Sequence, residues 1–390
     1  MRIPFGSRVL AGLFIIAICP LAALGQIMLS GNENKIDLTQ GGQRVIVHPS
    51  GPDSLTLLDF SKMPPTTIQI DDVQNTVIGP PSNIAISPDG KLAIVANSIR
   101  IDPPGSDKYV PESYAHIVDL SVRPPRVVGR VKTGLQPSGV SFTPDGKLAL
   151  VANRADGTIS VLAIDGLNVS LADSVKISAP AGEVSDVAIT PDGKMALASV
   201  RSLGYLAALN ISGGKVTLQP RKITAFGQPY RVIVTPDGKL AITAGHGYGN
   251  GRDEDCVSIV DLTANPLRTI DYVTIGSAPE SCEISPDGML LAAVVMDGSN
   301  TPASDPLHSE FGLLTILKRQ GNTFVASQRL KTGPIPEGVA FTSDGKRLVV
   351  QSHPTKKLWV FDVENGLVKD SGARVELPGM PSSLRASQAR

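Results

Sequence analysis

Val140-Ser141-Phe142-Thr143-Pro144-Asp145-Gly146-Lys147-Leu148-Ala149-Leu150-Val151-Ala152-Asn153 decides how this chain folds. Two short apolar runs flank an Asp-Gly pair, and glycine accepts the positive φ that a tight turn between strands demands, so the stretch reads as a β-hairpin. The same unit returns at Ser87-Pro88-Asp89-Gly90, Thr190-Pro191-Asp192-Gly193, Thr235-Pro236-Asp237-Gly238, Ser285-Pro286-Asp287-Gly288 and Thr342-Ser343-Asp344-Gly345. Its aspartates follow one another at 56, 47, 45, 50 and 57 residues. A third apolar run follows each hairpin, as in Thr158 to Leu162 and Val257 to Leu262, and a weaker fourth precedes the next, as in Thr269 to Ile275. Four strands per repeat of this length are the signature of propeller blades.

The ends complete the count. Gln43 to Val47 and Leu55 to Asp59 read as the second and third strands of a unit lacking its first, and Met380 to Leu384 supplies that first strand. The expected fold is all-β: a seven-bladed β-propeller of four-stranded blades over residues 43–386, closed by N- and C-terminal segments that share one blade. A segment over 26–42 precedes it and a tail over 387–390 follows.

Composition agrees. Of 390 residues 42% are hydrophobic and 18% charged, enough to bury a large core and too apolar for a disordered chain. The 36 basic and 36 acidic side chains cancel, which argues against a nucleic-acid platform. The 38 glycines and 31 prolines fit many short strands joined by turns. Arg2 and Arg8 precede the apolar run Val9 to Leu24, and Ala23-Leu24-Gly25 offers small residues before Gln26; residues 1–25 read as a cleavable secretory leader. Periplasmic or secreted localisation follows. No later run reaches the roughly 20 apolar residues of a membrane span.

Pro-Asp-Gly-Lys-Leu-Ala-(Ile/Leu)-Val-Ala-Asn at 88–97 and 144–153 resembles the YVTN repeat of secreted propellers and of the related lactonase-like propellers, with Ala in place of the signature's Tyr and Thr. The resemblance spans nearly all of residues 43–385.

Propellers usually bind where the loops entering the inner strands meet those joining second and third strands. Aligning the units puts Asp186, Tyr230, Arg231, Glu280 and Glu337 at inner-strand entrances, with Asn97, Asn153, Arg154, Arg201, His246 and His353 ending second strands on the same face. Arginines among carboxylates there would hold a small polar or anionic ligand beside a poised acid or base; the plainer reading is polar groups satisfying one another around a water-filled mouth. His246 needs Glu280 or Asp186 within reach to act as a base. Glu283, in an inner strand where other units carry Ala, Ser or Ile, is either paired or shifted in pKa. Long loops over 98–114 and 296–311 read as a lid, a rim or plain insertions. The Asp253-Glu254-Asp255 run lacks the spacing of a calcium loop, and no metal, cofactor or haem attachment is expected. Cys256 and Cys282 are candidates for a disulfide in an oxidising compartment, although Cys282 aligns with Val140, Val187 and Val232 and reads equally as a buried thiol.

Three functions follow. The first is an exported scaffold binding a small ligand or a partner protein. The second, implied by the lactonase-like resemblance, is lactone hydrolysis, with Arg154, Arg201 and Arg231 holding a carboxylate and His246, Glu280 or Glu337 activating water. The third is the propeller subunit of an exported redox enzyme, its cofactor carried by a partner.

Overall fold

The computed structural model describes residues 26–40, 43–247 and 253–387. The expected leader, the middle of the glycine-rich loop after His246 and the end of the tail lie outside them. The turn at the founding repeat explains its recurrence. Thr143 Oγ1 donates to Asp145 Oδ1 at 2.6 Å, that oxygen accepts the Lys147 N–H at 3.0 Å, and the Leu148 N–H donates to Thr143 Oγ1 at 3.0 Å. Thr143 and Leu148 close a four-residue loop whose Gly146 has φ 69°, a left-handed value that excludes most other residues. The same side-chain bond holds the other five turns at 2.5 to 2.7 Å. A Cβ on Gly193 would lie 3.2 Å from Pro144 Cδ, so one turn rests on the proline of the turn before it.

Each repeat builds one four-stranded antiparallel sheet, and seven such sheets form the ring. The inner strands, from blade 2 to blade 7, are Ile84–Ile86, Pro137–Phe142, Val184–Ile189, Pro229–Val234, Pro279–Ile284 and Pro336–Phe341. Blade 1 is composite: Met380–Ala386 lies innermost, followed by Ile27–Glu33, Ser54–Asp59 and Thr66–Asp71. Alternating side chains of facing sheets interdigitate between blades. Leu150, Ile159 and Val161 of blade 3 pack on Val187, Ala198 and Leu209 of blade 4. Comparable apolar layers fill the other six interfaces, including blade 7 against blade 1 through Val360, Met28 and Leu384.

Two expectations are corrected. The second strand of blade 1 is Ile27–Glu33, not Gln43 to Val47, so the propeller begins inside the segment assigned to 26–42. Gln43–Ile46 pairs instead with Ile36–Gln40 in an inserted hairpin between the second and third strands. Ile27–Glu33 is buried at every position, as a central strand requires, whereas Gln43, Arg44 and Val45 are exposed. Cys256 and Cys282 are both buried free thiols rather than a disulfide. Strand alternation is the reason: Val257 and Ile259 face blade 6, where Cys282 is packed with them, so neighbouring Cys256 points to the other face of its sheet.

Candidate active site

The upper face carries the loops that enter the inner strands. A recurring backbone device positions the ends of the second strands there. Gln136, Glu183, Gln228, Ala278 and Ile335 sit just before an inner strand with φ between 45° and 61°. Their carbonyls accept the backbone N–H groups of Arg154, Arg201, His246, Met296 and His353 at 3.0 to 3.1 Å. Non-glycine residues held in this region cost about 1–3 kcal/mol each and persist where the surroundings over-determine them. Here the strain fixes five equivalent positions around one mouth.

Blades 3 to 7 fill that mouth with chemistry. His246 Nδ1 lies 3.1 Å from Glu280 Oε1, and the His246 ring leans on Tyr230 with centroids 5.0 Å apart. The guanidinium carbons of Arg154 and Arg201 stand 5.9 and 5.7 Å from the Tyr230 ring centroid. Glu183 takes one bond from each arginine, Arg154 Nη2 at 3.1 Å and Arg201 Nη1 at 2.7 Å. Although burial opposes it, Arg154, Ser202 and Arg201 together hold the Glu183 carboxyl down at about 2. Arg154 is only 2% exposed, yet its Nε and Nη1 have no partner among the described residues. Buried donors left open are costly, and an anionic oxygen would fill them.

On the far side, Glu337 is 1% exposed with Oε1 unpartnered. Burial, reinforced by Glu280 and Glu33, pushes its pKa well above the ordinary carboxylate value, which favours the protonated form. Glu33 is raised to about 8, chiefly by burial, with Lys35 opposing. Val77 N–H donates to its Oε1 at 2.9 Å. Above the cluster lies the inserted hairpin. Its Ile36, Leu38 and Ile46 pack on Val77, Ile99, Ala278, Met296 and Ile335, and Arg44 reaches the Tyr109 hydroxyl within electrostatic range of Tyr230, Glu280 and Glu337.

The structure therefore gathers Arg154, Arg201, Tyr230, His246, Glu280 and Glu337, and sends the other candidates elsewhere. Asp186 and Arg231 lie deeper in the channel, bonded to each other at 3.0 Å. Asp186 also accepts Ser82 Oγ and the Val232 N–H, so neither is free to hold a ligand at the upper mouth. Glu283 is paired, with Arg231 at 3.0 Å and Arg385 at 3.4 Å. Both His353 ring nitrogens contact backbone carbonyls, Pro381 at 2.9 Å and Ile36 at 3.0 Å; it clamps the hairpin to the closing strand. The Asn97 amide nitrogen meets the Tyr114 hydroxyl, and that of Asn153 meets Thr158 and Ser160, both inside their own blades. In the acidic run, Glu254 pairs with Arg329 and Asp255 accepts the Ala278 N–H.

Sequence reasoning missed Glu33, Arg44 and Glu183. Glu33 ends a strand that follows no Asp-Gly turn, and Arg44 was read inside a blade strand. Glu183 precedes the expected entrance pair, at the left-handed position that Gln136, Gln228, Ala278 and Ile335 hold in other blades. Charge in the two residues before each inner strand was the available signal for Glu183.

A seven-bladed propeller with a polar cluster closing its upper mouth is the class these features define. No family model matches the sequence, and no curated protein matches it either. Solved structures do match in fold. A candidate 6-phosphogluconolactonase of Bacteroides uniformis has a TM-score of 0.72 at 17% identity, covering 92% of this chain and 98% of its own. The periplasmic gluconolactonase of Pseudomonas aeruginosa has 0.66 at 17%, covering 93% and 100%. A chain of Kuenenia stuttgartiensis hydrazine synthase has 0.62 at 21%, covering 81% and 94%. At these identities the likeness is one of fold alone, the β-propeller. Among the described residues no helix is long and apolar enough to cross a membrane.

Proposed function

We propose that this propeller hydrolyses a lactone bearing an anionic group, at its upper mouth, after export to the periplasm or beyond the cell. The approach of His246 to Glu280, 3.1 Å apart, carries the reading. A carboxyl beside one imidazole nitrogen stabilises the imidazolium that forms when the other nitrogen takes a proton from water. The water oxygen bonds to the lactone carbonyl carbon, and the oxyanion is met by the open donors of Arg154. Collapse breaks the ring C–O bond. Glu337, whose burial favours the protonated form, gives its proton to the departing alkoxide, and as the hydroxy acid leaves the proton held on His246 passes by way of solvent to Glu337, restoring both groups. Arg201 and Arg44 hold the substrate's anionic group.

A base beside a carboxyl that stabilises its charged form, with a separate proton donor nearby, supports hydrolysis over a passive scaffold, which needs neither. The fold shared with gluconolactonases supports the same choice. His246→Ala and Glu337→Gln are each expected to lower kcat on a carboxylate-bearing δ-lactone by about a hundredfold with little change in melting temperature. Unchanged kcat in both variants removes these residues from catalysis.

A further inference from the structure

The channel has a second mouth, on the face formed by the Asp-Gly turns, and there a cavity of about 460 Å³ opens. We propose that it is a separate binding site for a small organic monocarboxylate with an apolar body. The ion network separates it from the upper cluster: Asp186, Arg231, Glu283 and Arg385, from blades 4, 5, 6 and 1, meet across the channel.

Charge at the cavity floor selects an anion. Asp186 is fully buried and does not line the cavity, whereas Arg231, Glu283 and Arg385 do. Two guanidiniums and one carboxyl thus face the space, and because Asp186 balances Arg231 from behind, Arg385 is the cation left with only the longer contact to a shared carboxyl. Glu283 Oε2 is already shared by Arg231 Nη2 at 3.0 Å and Arg385 Nη1 at 3.4 Å. Arg385 Nε donates to the Ile84 carbonyl at 3.2 Å, and the side chain, 20% exposed, lines the cavity. Burial, together with Arg231, lowers the Arg385 guanidinium to about 10 against the opposing pull of Glu283 and Asp186, and a carboxylate at its cavity-facing end would add a charge-assisted bond.

The walls select the rest of the ligand. Ile86, Phe142, Ile189, Ile284 and Phe341 line the cavity beside the unpaired edges of the inner strands. The volume lies at the small end of ligand sites, enough for a short chain or a single ring. Because the surrounding turns are locked by their Ser/Thr-to-Asp bonds, the site is formed before a ligand arrives.

Calorimetric titration of the purified protein with hexanoate, hexanol and hexylamine tests this. Hexanoate is expected to bind one to one, hexanol about tenfold or more weakly, and hexylamine not at all. Arg385→Gln should weaken hexanoate about tenfold or more, and Ser343→Trp, which fills the mouth without touching the floor, should do the same. Melting curves without ligand show that both variants fold. Arg154→Gln, at the upper mouth, should leave hexanoate affinity unchanged. Absence of saturable heat, equal binding of hexanol, or loss in Arg154→Gln with retention in Arg385→Gln overturns the proposal. Because the readout is binding, the result is independent of whether lactones are hydrolysed.

Discussion

Two buried titratable residues give the fold opposite pH dependences. Glu33 is raised from 4.5 to about 8, mainly by burial, so between those values the folded chain keeps a proton that the unfolded chain has lost. Stability from Glu33 is complete below pH 4.5 and is lost as pH rises towards about 8. His116 is lowered from 6.5 to about 4 by burial and by Arg130; here the unfolded chain gains the proton first, and stability is lost as pH falls from 6.5 to about 4. Glu33→Gln should remove the decline on the alkaline side, raising the melting temperature at pH 8 relative to pH 5 by about 2 °C or more compared with wild type. His116→Phe should flatten the acid side instead. Melting curves at three pH values check both, and parallel profiles for wild type and variants would refute the assignments. His116 lies in a third strand of alternating pattern, so its burial is legible in the sequence. The loss of both ring partners is not, because that depends on what the adjacent sheet presents.

At the scale of elements, the Asp-Gly turn and the inserted hairpin contrast. The turn is written entirely in local residues: a hydroxyl, an aspartate and a glycine within four positions make every bond it needs. Asp145→Ala removes the acceptor of Thr143 Oγ1 and the Lys147 N–H and should cost about 1 kcal/mol, read as a lower thermal midpoint; no change would mean that water replaces the carboxylate without loss. The hairpin Ile36–Gln40 with Gln43–Ile46 has the alternation of blade strands and therefore reads as one. What distinguishes it is non-local: His353 bonding the Ile36 carbonyl and Met296, Ala278 and Ile335 receiving its apolar side. Arg44 comes to the site only through that docking. Arg44→Ala should raise KM for a carboxylate-bearing lactone about tenfold and leave KM for the uncharged ring unchanged. Equal effects on both substrates would place Arg44 in the scaffold alone.

For the whole molecule, closure depends on both ends of the described chain, since Met380–Ala386 pairs with Ile27–Glu33 and packs between blades 7 and 2. Leu384, 3% exposed, belongs to the apolar layer between blades 7 and 1. Leu384→Asp buries an unpaired carboxyl and should cost about 3 kcal/mol or more, whereas Leu171→Asp on an outer strand, where Leu171 is 39% exposed, should change stability by no more than about 0.5 kcal/mol. Similar midpoints for the two would contradict closure through this strand. Seven blades and the composite ring are legible because each repeat carries its own turn and strands. The site is legible only as a set of entrances and strand ends. Whether a charge there faces the mouth, as Glu280 does, or sinks into the channel, as Asp186 and Arg231 do, depends on partners several blades away. The most direct test of the central claim is the hydrolysis rate of a carboxylate-bearing δ-lactone by the wild-type protein beside Glu280→Gln. The account predicts turnover that falls about a hundredfold or more in the variant, with melting temperature retained; no turnover by wild type, or equal turnover by both, would contradict it.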